Sequence, residues 1–165
     1  MEVKRIMKKK VLSVFATTLV RDVWVLIFKK GINALPVVDR SNKLVGIATR
    51  DDILHMLYPD YKEYLEDFLS TEQIKQPGKQ FKEILSFPVK RIMKTHVLFV
   101  REDTPIMRAL ARMIARRVDQ LPVLSEKDKL IGIISKHDVF DELYRAHRRL
   151  FTLIIHGHHK VFKCR

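Results

Sequence analysis

A serine, a lysine and an aspartate follow a short apolar run, and these residue types suit an anionic or ribose-bearing ligand. Residues 130–134 are apolar and mostly β-branched, which predicts a covered strand. Ser135 and Asp138 then have the spacing of a helix N-cap and its reciprocal partner, so a helix is expected to begin there. Lys136 adds a cation to a helix N-terminus, which itself favours negative charge.

Two interpretations of this group remain open on the residues alone. The Asp138 carboxylate only accepts hydrogen bonds, so it suits the two donor hydroxyls of a ribose better than a phosphate. The simpler alternative is that Ser135 and Asp138 form a capping box and bind nothing.

The chain contains this pattern twice, at an offset of 86 residues. Residues 3–8 recur unchanged as residues 89–94, and Leu-Pro-Val at 35–37 recurs at 121–123. Residues 3–53 share 18 identities with the second copy without insertion or deletion, which indicates a duplication.

Each copy predicts the element order β-α-β-β-α after a short helical segment that ends in Ile-Met. Thr104 is predicted to cap the second copy's first helix, with Pro105 at its first position. Because one copy of roughly 50 residues would be marginal alone, we expect both to pack into one module of α/β (α+β) class. The expected strands are 11–14, 35–39 and 44–49, then 97–100, 121–124 and 130–135; the expected helices are 18–30 and 104–117, with final helices from Asp51 and His137.

The predicted organisation has four parts. Residues 1–58 form the first repeat, 59–88 a helical linker, 89–150 the second repeat and 151–165 a basic C-terminal tail. Apolar residues at helical spacing over 61–69 predict the linker helix, and a Pro-Gly pair at 77–78 breaks it.

Composition favours a soluble cytoplasmic protein with an anionic partner. Apolar residues make up 47% of the chain, enough for a core, and the net charge is +13. No apolar run is long enough to span a membrane, and no signal peptide precedes the first copy. The single cysteine, Cys164, excludes a disulfide or a thiolate zinc site within one chain.

The two copies resemble the CBS domain, a family named from cystathionine beta-synthase, in which a tandem pair is called a Bateman module. The resemblance rests on residues 31–39 with 46–52 and on residues 117–123 with 132–138. It implies a tandem CBS pair that binds an adenosine compound (AMP, ADP, ATP, S-adenosylmethionine or a cyclic dinucleotide) in clefts between the copies. It also implies a homodimer.

The resemblance places the main nucleotide site in the second copy. Asp138 matches the ribose-binding aspartate, and Ser135 and Lys136 match positions beside the ribose and phosphate. The positions implied near the base and ribose are Thr104, Ala109, Val118 and Asp119.

A weaker site is implied in the first copy. Val23 stands there where the second copy has Ala109, and its larger side chain leads us to expect an empty or low-affinity cleft. Neither copy has the basic residues that hold phosphates in some relatives, so the remaining candidates for that role are Arg50, Lys136, Arg116 and Arg117. The residues implied for this weaker site are Thr18, Ile32, Asn33, Thr49, Arg50 and Asp52.

Catalysis and metal binding find little support in the sequence. There is no phosphate-binding loop, dinucleotide fingerprint or nucleophile elbow, so we expect no enzyme and no required cofactor. The histidines of residues 156–159 could bind a metal, but a tail with incidental histidines is the favoured interpretation, and no metal site is predicted.

These observations lead to a regulatory module that reversibly binds an adenine nucleotide and signals occupancy to an effector protein. The alternative is a nucleic-acid-binding protein that uses the CBS pair as a dimeric scaffold and its basic ends as the contact surface. The basic residues at the C-terminal end are Arg145, Arg148, Arg149, Lys160, Lys163 and Arg165.

Overall fold

The computed structural model of the protein describes residues 1–57 and 79–155, and the predicted linker helix and the histidines of 156–159 lie outside them. Each copy forms a three-stranded sheet with flanking helices, which confirms the predicted class and repeat. The first copy contains β1 (Val14–Phe15), α1 (Val20–Lys30), β2 (Ala34–Val38), β3 (Leu44–Thr49) and α2 (Arg50–Leu57). After α3 (Lys79–Leu85), the second contains β4 (Val100–Arg101), α4 (Ile106–Ala115), β5 (Gln120–Leu124), β6 (Leu130–Ser135) and α5 (Lys136–Ile155).

The Leu-Pro-Val strand is central in each sheet. β2 pairs in parallel with β1 and antiparallel with β3, and β5 has the same relation to β4 and β6. No helix in the described part of the chain is long and apolar enough to cross a membrane.

The first strand of each copy is shorter and begins later than predicted. β1 pairs only Val14 with Val37 and Phe15 with Val38, rather than spanning 11–14, and β4 likewise replaces the predicted 97–100. The residue of β2 just before these two pairs is Pro36, which has no N–H to donate. Ile47 lies opposite Pro36 in β3 and makes its backbone hydrogen bonds with Lys94 on its other side. The nitrogen of Pro36 therefore faces β1. Because it carries no hydrogen, the parallel ladder ends there.

The prediction that Thr104 caps α4 is wrong. The N-cap is Pro105, and no side chain bonds to the first turn. The Thr104 hydroxyl instead accepts a hydrogen bond from the Arg101 N–H at 3.1 Å. Its short side chain therefore closes the turn after β4, a local bond that competes with capping.

The two copies exchange their leading segments, defined as residues 3–8 and 89–94. Val3 is fully buried in the core of the second copy, and Val89 is fully buried in the core of the first. The Val3 N–H donates to the Thr104 carbonyl at 2.9 Å, and the Val89 N–H donates to the Thr18 carbonyl at 2.7 Å. Neither core is complete without the other copy, which explains why the repeats form one module.

Each exchanged segment also pairs with a strand of the other copy. Lys8 and Ile133 exchange backbone hydrogen bonds of 2.9 and 3.0 Å, and Lys94 and Ile47 exchange two of 2.9 Å. A glycine precedes each partner strand residue and leaves room for this approach. A Cβ on Gly132 would lie 2.6 Å from the Met7 sulfur, and the same distance separates a Cβ on Gly46 from the Met93 sulfur.

We predict that Gly132→Ala destabilises the protein by about 1 to 3 kcal/mol, because the added methyl overpacks against Met7 and the Lys8 carbonyl. Urea denaturation of wild type and variant measures the change. In a Met7→Ala background the same substitution should cost less, since the sulfur that it meets is gone. An equal cost in both backgrounds would show that the leading segment does not set the requirement for glycine.

Candidate functional site: a cleft between the two copies

Residues of both copies line a cleft of about 530 Å³. The first copy contributes Asn33 and the junction between β3 and α2, which includes Thr49, Arg50 and Asp51. The second copy contributes its leading segment with Lys94, and the segment from the end of α4 into β5. The cleft therefore exists only where the two repeats meet.

A capping box forms the first turn of α2 beside this cleft. The Asp52 Oδ2 accepts hydrogen bonds from the Thr49 N–H at 2.8 Å and the Thr49 hydroxyl at 2.5 Å. In return, the Asp52 N–H donates to the Thr49 hydroxyl at 3.1 Å. The other oxygen, Oδ1, lies 2.9 Å from the Lys94 Nζ of the exchanged segment.

The second copy repeats this arrangement at the start of α5. The Asp138 Oδ2 accepts from the Ser135 N–H at 2.8 Å and the Ser135 hydroxyl at 2.6 Å, and Oδ1 lies 3.1 Å from Lys8 Nζ. The capping box that the spacing allowed is thus present in both copies. One oxygen of each carboxylate is taken by the cap, while the other faces only a lysine whose side chain is more than 60% exposed.

These contacts set the protonation of Asp138. Burial of the carboxyl acts to raise its pKa, but the hydrogen bonds from Ser135 and the ammonium group of Lys8 together outweigh burial. The net result is a pKa below the ordinary value for aspartate. The carboxylate is therefore kept ionised and acts only as a hydrogen-bond acceptor.

The structure separates the residues predicted for the main site. Val118 and Asp119 line the cleft, but beside Thr49 and Arg50 of the first copy rather than beside Asp138. Lys136 forms an ion pair with Asp119, with Nζ 3.0 Å from Oδ1. Ala109 is fully buried in the second copy's core, and Thr104 holds the exchanged Val3. The role of this set stays a prediction.

Most of the set predicted for the weaker site comes together. Asn33, Thr49 and Arg50 line the cleft, and Asp52 bonds directly to two lining residues. The remaining two lie elsewhere: Thr18 is in the turn after β1, and Ile32 packs on the first copy's core.

The steric argument against a ligand in the first copy stays a prediction. Val23 is fully buried in the core of the first copy and is not part of the cleft wall. Ala109, at the equivalent position of the second copy, is likewise fully buried and outside the cleft wall.

Sequence reasoning missed the lysines that face the two carboxylates. Lys8 and Lys94 follow the repeated Ile-Met in an identical hexapeptide, which was the available signal. Their partners lie in the other copy in space, and only the exchange of segments brings them together.

The CBS domain model matches residues 3–58 and 89–145, which include both sheets and both capping boxes. The chain belongs to the CBS domain family. Among relatives, protein MJ1426 of Methanocaldococcus jannaschii is 29% identical over 154 residues, which cover 87% of this chain and 91% of that protein.

Solved structures of CBS proteins share the fold. Protein MJ1225 of M. jannaschii has a TM-score of 0.71 at 27% identity, over 89% of this chain and 50% of that one. CBSX2 in complex with AMP has a TM-score of 0.69 at 24% identity, over 88% of this chain and 97% of that one. The CBS pair of MJ0100, in complex with 5′-methylthioadenosine and S-adenosylmethionine, has a TM-score of 0.63 at 22% identity, over 88% and 97% of the two chains.

We predict that Asp138→Asn lowers stability by about 1 to 2 kcal/mol at pH 7, because the amide cannot accept the same charge-assisted bonds. Since the folded-state pKa of Asp138 is lowered, its contribution is complete above the unfolded pKa of about 3.9 and is lost as pH falls through the folded value.

Wild type should therefore lose its advantage over the variant as pH falls from about 5 toward 2. Urea denaturation at several pH values measures this convergence. Asp103→Asn, at an exposed carboxylate, is the matched control and should not converge with wild type in this way. If the free energies of unfolding of wild type and Asp138→Asn differed by the same amount at all pH values, the lowered pKa of Asp138 would be contradicted.

Proposed function

We propose that this CBS pair is a regulatory module that reversibly binds an adenine nucleotide in the cleft between its repeats. The observation that carries the proposal is the cleft itself, whose lining includes Thr49 and Lys94, the two residues that hold the Asp52 carboxylate. Three arginines, at positions 50, 116 and 117, give the same lining a basic character. The cleft volume of about 530 Å³ lies within the range of roughly 300 to 1,000 Å³ that is common for small-molecule sites. The proposal is of a binding module, not an enzyme.

The base and ribose have complementary surfaces in this cleft. Val97, Leu98 and Val118 give part of the lining an apolar character that suits a purine. The Asp52 Oδ1 has its cap-free lone pairs directed to Lys94, whose flexible side chain can move aside for a ribose hydroxyl. Asp52 is therefore the proposed ribose acceptor, beside Thr49 and Asn33.

Relatives in the family support an adenosine ligand. CBSX2 was crystallised with AMP, and the MJ0100 pair with 5′-methylthioadenosine and S-adenosylmethionine. Those ligands share an adenosine group, which is the part that the proposed carboxylate and apolar wall would recognise.

Occupancy can be signalled because the cleft walls belong to different repeats. A ligand that contacts both Arg50 and Val118 binds best to one arrangement of the two repeats. Binding therefore increases the population of molecules in that arrangement. We propose that an effector protein in the cytoplasm reads this shift.

We predict that Asp52→Ala weakens binding of the best adenine nucleotide about tenfold to a hundredfold, since a charge-assisted contact of roughly 1.5 to 3 kcal/mol is lost. Calorimetric titration with adenosine, AMP, ADP and ATP measures the change. Asp103→Ala is the matched control, because it removes an exposed carboxylate outside the cleft lining and should leave the affinity unchanged.

Two outcomes would redirect the proposal. Loss of binding in Asp138→Ala but not in Asp52→Ala would place the ligand in the second copy, as the resemblance implied. The nucleic-acid alternative would be favoured if no nucleotide bound and duplex DNA did. The logarithm of the DNA association constant should then fall by about 0.9 per neutralised phosphate for each tenfold rise in salt concentration. Residues 156–165 of the basic tail lie outside the described residues.

We also propose a homodimer formed through the outer helices. Phe28 on α1 is 80% exposed, and Ile114 on α4 and Phe140 on α5 are 61% and 68% exposed. Each of these large side chains leaves apolar surface exposed on a helix, and a second copy that covers it would remove that surface from water.

We predict that Ile114→Glu shifts a dimer toward monomer by at least about tenfold in dissociation constant, because the interface would bury an unpaired carboxylate. Light scattering after size exclusion measures the mass. Leu12→Glu, at an exposed apolar residue outside these helices, is the control and should leave the mass unchanged. A monomeric wild type would contradict the dimer.

A further inference from the structure

A second cavity, here called the helix cavity, lies between α1 and α2 of the first copy. Its volume is about 310 Å³, and among the described residues its lining shares only Arg50 with the cleft between the repeats. Ile27 of α1 and Ile53 of α2 line it and are each 3% exposed, so the cavity reaches down to the core of the first copy. The helix cavity is therefore a separate space from the proposed nucleotide site.

Two aromatic side chains of α1, Trp24 and Phe28, line the helix cavity. The Trp24 ring is half-buried and makes an edge-to-face contact with Phe81 of α3, with ring centroids 5.8 Å apart. Aromatic rings offer a large apolar contact area to a ring or chain that packs on them. The volume is near the lower end of the range of roughly 300 to 1,000 Å³ for ligand pockets, which suits one ring or a short alkyl chain.

One charged group accompanies these apolar residues. In the described part of the chain, Arg50 is the only charged residue of the lining, and no ion pair joins it to a carboxylate. A guanidinium group binds a carboxylate through two parallel, charge-assisted hydrogen bonds. Gly31 also lines the cavity, and a Cβ there would meet no atom within 4 Å, so this part of the lining leaves space for a ligand.

The second copy does not repeat this lining. At the positions equivalent to Trp24, Gly31 and Leu54 it has a leucine at 110, an arginine at 117 and a phenylalanine at 140. The second copy nevertheless folds into the same elements. The fold therefore does not require the indole, the glycine and the leucine that line the helix cavity.

We infer that the helix cavity binds a small organic acid, a monocarboxylate whose apolar part is one aromatic ring or a short alkyl chain. Its carboxylate pairs with Arg50, and its apolar part packs on Trp24 and Ile53. Burial of the apolar part supplies the binding energy, and Arg50 selects the charged head group. No nucleotide is needed, so this inference and the proposed function can fail independently.

The test uses the fluorescence of Trp24, the only tryptophan in the chain. Titration with 3-phenylpropionate should change its emission in a saturable way, because the ligand replaces water beside the indole. The neutral 3-phenylpropan-1-ol has the same apolar part without the carboxylate. It should bind about three- to tenfold more weakly, a modest factor because Arg50 is exposed and solvent weakens the pair.

Arg50→Gln removes the charge and should abolish the difference between acid and alcohol, while the affinity for the alcohol stays unchanged. Arg40→Gln is the matched control. It removes the same charge from an exposed position in the turn between β2 and β3, outside the cavity lining, and should leave the preference for the acid intact.

Three results would overturn the inference. The first is Trp24 emission that stays constant over the acid titration. The second is equal affinity for acid and alcohol in wild type, or an acid affinity that Arg50→Gln leaves unchanged. The third is emission that responds to protein concentration but not to the acid, which would show that a second copy covers the helix cavity.

Discussion

The exchange of leading segments between the repeats is the constraint on which the rest of the structure depends. Val3 and Val89 each complete the hydrophobic core of the other copy, so burial of apolar surface holds the repeats together. The same segments carry Lys8 and Lys94 to the carboxylates that begin the final helix of each repeat. Packing, strand pairing and the electrostatics of the cleft thus come from one short piece of repeated sequence.

Charged groups around the cleft fall into two kinds. The Asp52 carboxylate, which is bonded to two lining residues, is satisfied by its cap and by Lys94, so it contributes to the fold even without a ligand. The Asp138 carboxylate has the same kind of partners away from this cleft. The arginines at 50, 116 and 117 line the cleft and form no ion pair with a carboxylate among the described residues.

Much of the fold could be predicted from the pattern of residues. The bounds of the two apolar strands at 44–49 and 130–135 agree with the prediction, because a short β-branched run between two turns favours a strand over a helix. The first strands were misplaced because their length depends on a missing N–H at Pro36, which belongs to a neighbouring strand. Thr104 was misassigned because its hydroxyl had two local backbone choices, and the turn after β4 prevailed over the helix cap.

The sequence by itself determined the duplication, the strand and helix types and the capping boxes, since these depend on neighbours within a few residues. Only the tertiary structure decided that Val118 and Asp119 of one repeat face Thr49 and Arg50 of the other, and that Val23 fills core rather than cleft. Hydrogen bonds between the two repeats join residues 86 and 88 positions apart, and no local preference encodes them. The physical reason is that the exchange of leading segments, and not the spacing along the chain, determines which residues of the two repeats face each other across the cleft.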